Sequence, residues 1–294
     1  MRGAALPHLR IREQGRPQYA QGMALPPIAV LGGGNLGSAI LTGLADAGVP
    51  DLRVTTRSAA SAARYAGGPV TAAALEHDPE ANARAIDGAG IVISGVKPAG
   101  TADLLRAIGP ALASGVVVVS LAVGTPLAPL EAALPAGTQV VRAMPNTPVR
   151  VRQGVTGLAR GSAVTDAGFA AVQEAFGLLG EVVVLDDDRI DRISTISGSG
   201  PAYVYLLLER FSAAAVGLGF ERRDAERIVQ QTFAGALALL DASGETPEAL
   251  RRAVTSPGGT TAAAVAVFEE RDLGGLIADA LAGALRRADE LAGR

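Results

Sequence analysis

The run Gly32-Gly33-Gly34-Asn35-Leu36-Gly37 satisfies a G-x-G-x-x-G pattern. In that spacing Gly32 permits a tight turn, Gly34 lets the backbone approach a pyrophosphate, and Gly37 lets the next helix pack closely on the preceding strand. Amides at the start of that helix, aided by its dipole, favour negative charge. The competing reading is a glycine-rich loop that binds nothing. Context argues against it, because Ile28–Leu31 reads as a strand before the turn and Gly37–Ala47 as a helix after it. About 20 residues on, an NAD site normally presents Asp or Glu to the ribose. Here the chain reads Val54-Thr55-Thr56-Arg57-Ser58, with no carboxylate. Thr56 and Ser58 offer hydroxyls, and Arg57 could clasp a 2′-phosphate through paired hydrogen bonds. The expected cofactor is NADPH by preference, with NADH possible. The alternative is that Arg57 stacks on adenine or faces solvent.

A second candidate anion site is Val254-Thr255-Ser256-Pro257-Gly258-Gly259-Thr260-Thr261. Glycines expose amides, hydroxyls add donors, and a helix beginning near Thr260 adds its dipole. Only partial positive charge is on offer, which suits a small carboxylate. Ser197-Gly198-Ser199-Gly200-Pro201-Ala202-Tyr203 is the other unusual string, with Pro201 placed for the first position of a helix. Each could also be an ordinary capped turn between helices.

Other chemistries are bounded by what is rare. The chain has no cysteine, which excludes disulfides, thiol catalysis and thiolate metal sites. Its two histidines, His8 and His77, have no neighbours that suggest a triad or a zinc site, and no metal is expected. Lys97 is the single lysine, against 26 basic residues in all. A net charge of −3 and 3% aromatic residues argue against nucleic acid as a partner. No apolar run approaches the roughly 20 residues of a membrane span. A soluble cytoplasmic enzyme is the expectation.

The elements that must position these residues fall into two classes. β-Branched runs at Ile28–Leu31, Leu52–Thr55, Ile91–Val96, Val116–Ala122 and Gln139–Ala143 alternate with helical segments such as Gly37–Ala47 and Thr101–Leu112. A further strand, helix and strand follow at Val155–Ala159, Thr165–Leu179 and Val182–Leu185, closed by Asp186-Asp187-Asp188. Uniformly apolar strands between helices predict a parallel, doubly wound sheet of Rossmann type. After it the chain reads as helices only: Pro201–Leu218, Arg223–Ala242, Pro247–Ala253, Thr261–Glu270 and Asp272–Leu291. The division expected is residues 1–25 as a tail, 26–188 as a dinucleotide-binding domain and 189–294 as an all-α domain. The Arg-rich start reads as a disordered tail or an over-long start, with Met23 just before the first strand, rather than as a transit peptide. Small residues such as Ala213-Ala214-Ala215 and Gly235-Ala236 permit close helix packing, within the domain or across a dimer.

Taken together, Gly32–Gly37, Ser197–Tyr203 and Val254–Thr261 resemble the pyrroline-5-carboxylate reductase family. Val96-Lys97-Pro98, after the third expected strand, and Arg142–Pro148, after the fifth, match as well. The resemblance runs from about Ile28 to the C-terminus; its two later strings are specific and the glycine turn is not. It implies reduction of 1-pyrroline-5-carboxylate to L-proline with hydride from NAD(P)H, the last step of proline biosynthesis. It also implies a helical dimerisation domain that interlocks two subunits, often in rings of dimers. Carried over by position, Ser256, Pro257, Gly258, Gly259 and Thr260 hold the substrate carboxylate, and the Thr261 hydroxyl lies near the ring nitrogen. Met144, Pro145 and Asn146 line the nicotinamide side, while Val96, Lys97 and Pro98 form the cofactor-side wall. Gly32, Gly34, Asn35, Leu36, Gly37, Thr56, Arg57 and Ser58 bind the rest of the cofactor, and Thr261 and Lys97 are the catalytic candidates. One departure is Val149-Arg150-Val151-Arg152-Gln153-Gly154, where the family usually has an acid before the glycine.

Reducing a C=N bond needs hydride on carbon and a proton on nitrogen. A pyrroline nitrogen is basic enough to arrive partly protonated, so positioning and electrostatics can carry most of the acceleration. Thr261 would orient or relay the proton, unless it merely caps its own helix. A β-hydroxyacid dehydrogenase of similar domain order would need a base, commonly a lysine in the helical half, and none follows Lys97. A nucleotide-sensing protein without catalysis remains the other alternative.

Overall fold

The structure, a computed structural model, describes residues 25–291. The tail expected over 1–25, with His8 and Met23, lies almost wholly outside the described residues. In chain order the first elements are β1 (Ile28–Leu31), α1 (Asn35–Asp46), β2 (Leu52–Thr56), α2 (Ala59–Ala62), β3 (Val70–Ala74), α3 (Ala81–Ile86), β4 (Ile91–Ser94) and α4 (Pro98–Ile108). Then come β5 (Val117–Ser120), α5 (Leu127–Ala132), β6 (Gln139–Pro145), β7 (Gly154–Arg160), α6 (Asp166–Gly177), β8 (Gly180–Val184) and α7 (Asp187–Ile193). The helices α8 (Gly200–Gly217), α9 (Arg222–Ser243), α10 (Pro247–Ala253), α11 (Thr260–Glu270) and α12 (Leu273–Leu291) complete the chain.

The strands form one sheet in the order β3-β2-β1-β4-β5-β6-β7-β8. Every pairing is parallel except β6 with β7. Strands β1, β4 and β5 are buried at every position, as a sheet covered on both faces requires. Alternate residues feed two cores. Ile28 and Val30 join Ile40, Leu41, Leu44, Phe169 and Phe176 on one face, where α1 and α6 lie. Ala29 and Leu31 join Ile86, Leu105, Ile108 and Leu130 on the other, from α3, α4 and α5. Each fully buried Leu or Ile contributes roughly 1.5–3 kcal/mol.

β3 escapes the sequence pattern. Its Val-Thr-Ala-Ala-Ala offers one β-branched pair and then alanines, and as the edge strand it buries only Ala74. The stretches following β4 and β6 are thus the ones expected after a third and a fifth strand.

Two compact units divide the described residues, one of 25–201 with 281–291 and one of 202–280. The division between these units falls past α7. The second unit is helical throughout. Phe211 meets Phe233 edge-on at 5.4 Å and Phe268 at 6.5 Å between ring centroids. Among its described residues only Ala225 and Val229 are buried. Thr246 caps α10 by accepting from the Ala249 amide at 3.1 Å, with Pro247 first in the helix. No described helix is long and apolar enough to cross a membrane.

Candidate active site

The glycine turn is built by close approach. Gly32 has φ 103°, and a Cβ there would stand 3.0 Å from the Gly95 carbonyl carbon and 3.2 Å from Val96 Cγ1. A Cβ on Gly37 would fall 2.5 Å from the Gly32 oxygen. Gly33, the unspecified place in the pattern, is equally crowded: Thr56 Cγ2, Tyr65 Oη and Val54 Cγ2 lie within 3.1 Å of its missing Cβ. Gly34 is the contrast, since a Cβ there meets nothing within 4 Å. Gly34 precedes α1 with no side-chain cap, and the first helical bond runs from the Ser38 amide to its oxygen at 2.8 Å. The amides of Asn35, Leu36 and Gly37 thus open the helix without helical partners. Room in front of free amides at the head of a 12-residue helix fits a dinucleotide's pyrophosphate.

β2 ends beside this turn, and the Gly32 and Gly33 amides both donate to the Thr55 oxygen at 3.0 Å. Thr56 is buried, its hydroxyl donating to the Ser58 oxygen at 2.9 Å. Ser58 caps α2 by accepting from the Ser61 amide. Arg57 is exposed and forms no ion pair among the described residues. Sequence reasoning missed Arg64, whose Nη2 donates to the Gly33 oxygen at 3.0 Å. Only the fold shows the chain turning back there, through the 3-10 turn Ala63–Tyr65. Burial raises the pKa of the neighbouring Tyr65 phenol, while the Arg64 charge opposes the shift.

β4 closes the other side. The Gly95 amide donates to the Leu31 oxygen at 2.8 Å, and a Cβ on Gly95 would lie 2.8 Å from the Gly32 oxygen. Lys97 then precedes α4, with Pro98 at the helix start. Its side chain is exposed and unpaired among the described residues. Gly32–Gly37, Thr56–Ser58 and Val96–Pro98 are thereby brought to the C-terminal edge of β1, β2 and β4, where the strand order reverses. In open α/β sheets that crevice is where ligands bind.

Met144 and Pro145 end β6, and Asn146 follows directly. Asn146 Oδ1 accepts from the Val155 amide at 2.9 Å and Nδ2 donates to the Ser197 oxygen at 3.1 Å. Both ends of that side chain are engaged with the protein's own backbone. A Cβ on Gly198 would come 2.8 Å from Met144 Cε. The Ser197–Tyr203 string is not a fresh helix start with Pro201 first. α7 widens into a π turn at Ser194–Gly198, and α8 begins at Gly200. Ser194 and Ser197 hydroxyls donate back to the Asp191 and Ile193 oxygens at 2.6 and 3.1 Å, which supports the widened register.

Beneath these residues lies an ion cluster that composition does not announce. Arg142 pairs with Asp187 at 2.6 Å and with Asp191 at 2.7 Å. Asp191 also accepts from the Gly124 amide and Asp187 from the Leu127 amide. Of the three acids read as closing the sheet region, Asp187 joins Asp191 in tying α7 to β6. In the departing loop, Arg152 takes φ 60° and Nε donates to the Leu178 oxygen at 3.2 Å, next to buried Val149.

In the second unit, Ser256-Pro257-Gly258-Gly259 forms a β-turn closed by the Gly259 amide on the Ser256 oxygen at 3.0 Å, with Gly258 at φ 71°. That bond corrects one expectation. The Gly259 amide is taken, which leaves the Gly258 amide and those of Thr260 and Thr261 at the head of α11 as donors open to an anion. No side chain caps this helix, and the Thr261 hydroxyl has no hydrogen bond among the described residues. Thr255 is occupied, donating to the Arg251 oxygen at 2.6 Å.

Fold and turn define a class: a Rossmann-type dinucleotide-binding domain followed in the chain by a helical unit. A family model described as NADP oxidoreductase, coenzyme F420-dependent, matches residues 27–124. Another, pyrroline-5-carboxylate reductase dimerisation, matches 187–291. The chain belongs to the pyrroline-5-carboxylate reductase family. It is 38% identical to the pyrroline-5-carboxylate reductase of Pseudomonas aeruginosa, over 92% of this chain and 98% of that one. The solved reductase of Coxiella burnetii superimposes with a TM-score of 0.83 at 34% identity, covering 91% of this chain and 98% of that one. The Plasmodium falciparum pyrroline carboxylate reductase, solved with NADP bound, gives 0.80 at 25% identity, covering 92% and 100%.

Proposed function

We propose that this protein reduces 1-pyrroline-5-carboxylate to L-proline, the last step of proline biosynthesis, and prefers NADPH to NADH. The observation that carries the reading is the uncapped head of α11 behind the Ser256–Gly259 turn, a second anion-binding helix start that a dinucleotide does not need. Bound NAD(P)H supplies the hydride for the imine carbon.

The chain's own residues do the rest. Gly32, Gly34 and the amides of Asn35, Leu36 and Gly37 hold the pyrophosphate. Thr56, Arg57 and Ser58 surround the adenosine ribose. Val96, Lys97 and Pro98 wall one side of the nicotinamide, and Met144 and Pro145, steadied by Asn146, wall the other. Ser256 and Pro257 shape the carboxylate pocket, and the amides of Gly258, Thr260 and Thr261 bind it. The Thr261 hydroxyl, without a hydrogen bond among the described residues, holds the proton at the ring nitrogen. Lys97 adds positive charge at the cofactor edge.

Residues 26–188 are the cofactor domain in this reading, and 189–294 the substrate and dimerisation domain. The working form is a homodimer or a ring of dimers in the cytoplasm. The test is spectrophotometric. NADPH should be oxidised when 1-pyrroline-5-carboxylate is added, while NADP+ should stay unreduced with 3-hydroxyisobutyrate. Turnover of the alcohol and not the imine would reverse the assignment; binding without either would make it a sensor.

A further inference from the structure

We propose that Arg64 is a second arm of the cofactor's 2′-phosphate subsite, opposite Arg57; this rests on the NADPH reading above. Arg64 is held by two neutral carbonyls, Nη2 on the Gly33 oxygen at 3.0 Å and Nε on the Ser61 oxygen at 3.2 Å. No carboxylate pairs with it among the described residues, so its charge is uncompensated, and Nη1 has no partner there. Two anchors fix a guanidinium plane before any ligand arrives, which lowers the ordering cost of binding.

Its position selects the subsite. Gly33 is the residue of the turn that faces Thr56, Tyr65 and Val54, the β2 side, whereas the open space for the pyrophosphate is at Gly34. Ser61 belongs to α2, which Ser58 caps directly after Arg57. Arg64 therefore sits between the glycine turn and the residues after β2, where a dinucleotide's adenosine ribose falls. The head of α2 offers less to an anion, because Glu76 Oε2 already accepts from the Ala59 amide at 2.9 Å. Asp78 is paired with Arg84. The charge for a dianionic phosphate at this corner must come from Arg57 and Arg64, and the phosphate is what separates NADPH from NADH.

Calorimetric titration of the whole protein with NADP+ and with NAD+ tests this without turnover. Arg64→Met should weaken NADP+ on the order of tenfold and leave NAD+ within about twofold. Arg64→Lys, which keeps charge but loses the fork, should fall between. If wild-type protein binds both nucleotides equally, the NADPH reading fails and this proposal with it. If wild type discriminates but Arg64→Met weakens both nucleotides by one factor, Arg64 merely braces the glycine turn or stacks on adenine. Unchanged discrimination in both variants equally overturns it.

Discussion

Arg142 Nη2 stands 2.7 Å from Asp191 Oδ1, with the two side chains 2% and 4% exposed. One partner is on β6, the other on α7, 49 residues later. A buried ion pair is costly to break from one side, because the remaining charge stays in a poorly solvating interior. Arg142→Met or Asp191→Ala should each cost about 3–5 kcal/mol in urea denaturation. The double variant should cost clearly less than the sum of the two. Strict additivity would show that the pair is not coupled.

Gly34 and Gly37 differ in what they serve, so alanine should separate them. Gly37→Ala puts a methyl 2.5 Å from the Gly32 oxygen and should lower the melting temperature as well as cofactor affinity. Gly34→Ala meets no protein atom within 4 Å, so the fold should hold while cofactor affinity drops. Calorimetry against NADP+, beside a thermal melt, distinguishes them. Normal cofactor binding by Gly34→Ala would move the pyrophosphate elsewhere.

Thr261 has a hydroxyl that its own helix does not use. Thr261→Ala should lower kcat roughly 10²-fold if that hydroxyl handles the proton, with a smaller change in KM for the imine. Thr261→Ser should recover much of the rate. Wild-type kcat in the alanine variant would reject the role.

Among its described residues, the second unit leaves Leu206, Leu237, Leu276 and Ile277 about half exposed or more, and buries only Ala225 and Val229. So thin a core calls for another surface to cover these side chains. Leu237→Glu or Leu276→Glu should shift the protein toward monomer in light scattering and lower its melting temperature. An unchanged mass in both variants would place the subunit contact on other helices.

Much of this was legible because the chemistry is local. The alternation of β-branched runs and Ala/Leu segments marked seven of the eight strands and the doubly wound class, and Gly32, Gly34 and Gly37 stood at readable spacings. The unread parts depend on distant partners. β3 is an alanine-rich edge whose strand state is set by pairing with β2. Arg142 looked like any arginine until α7 brought it two acids. The π turn at Ser194–Gly198 is a matter of helix register, which serines reveal only once their acceptors are known. Arg64 becomes notable only where the chain folds back on Gly33. Even the loop at Ser256 needed the fold, since one hydrogen bond decides which amides remain free.

Lys97 is the chain's one lysine, exposed at the head of α4 next to the strand end that packs on the glycine turn. Every other basic side chain apart from two histidines is arginine. An amine-directed acylating reagent therefore finds a single side chain, besides the chain's α-amino group. The molecule carries its own unique attachment point for a dye or cross-linker at the rim of the crevice, and shielding of that amine by nucleotide would read occupancy directly by mass spectrometry.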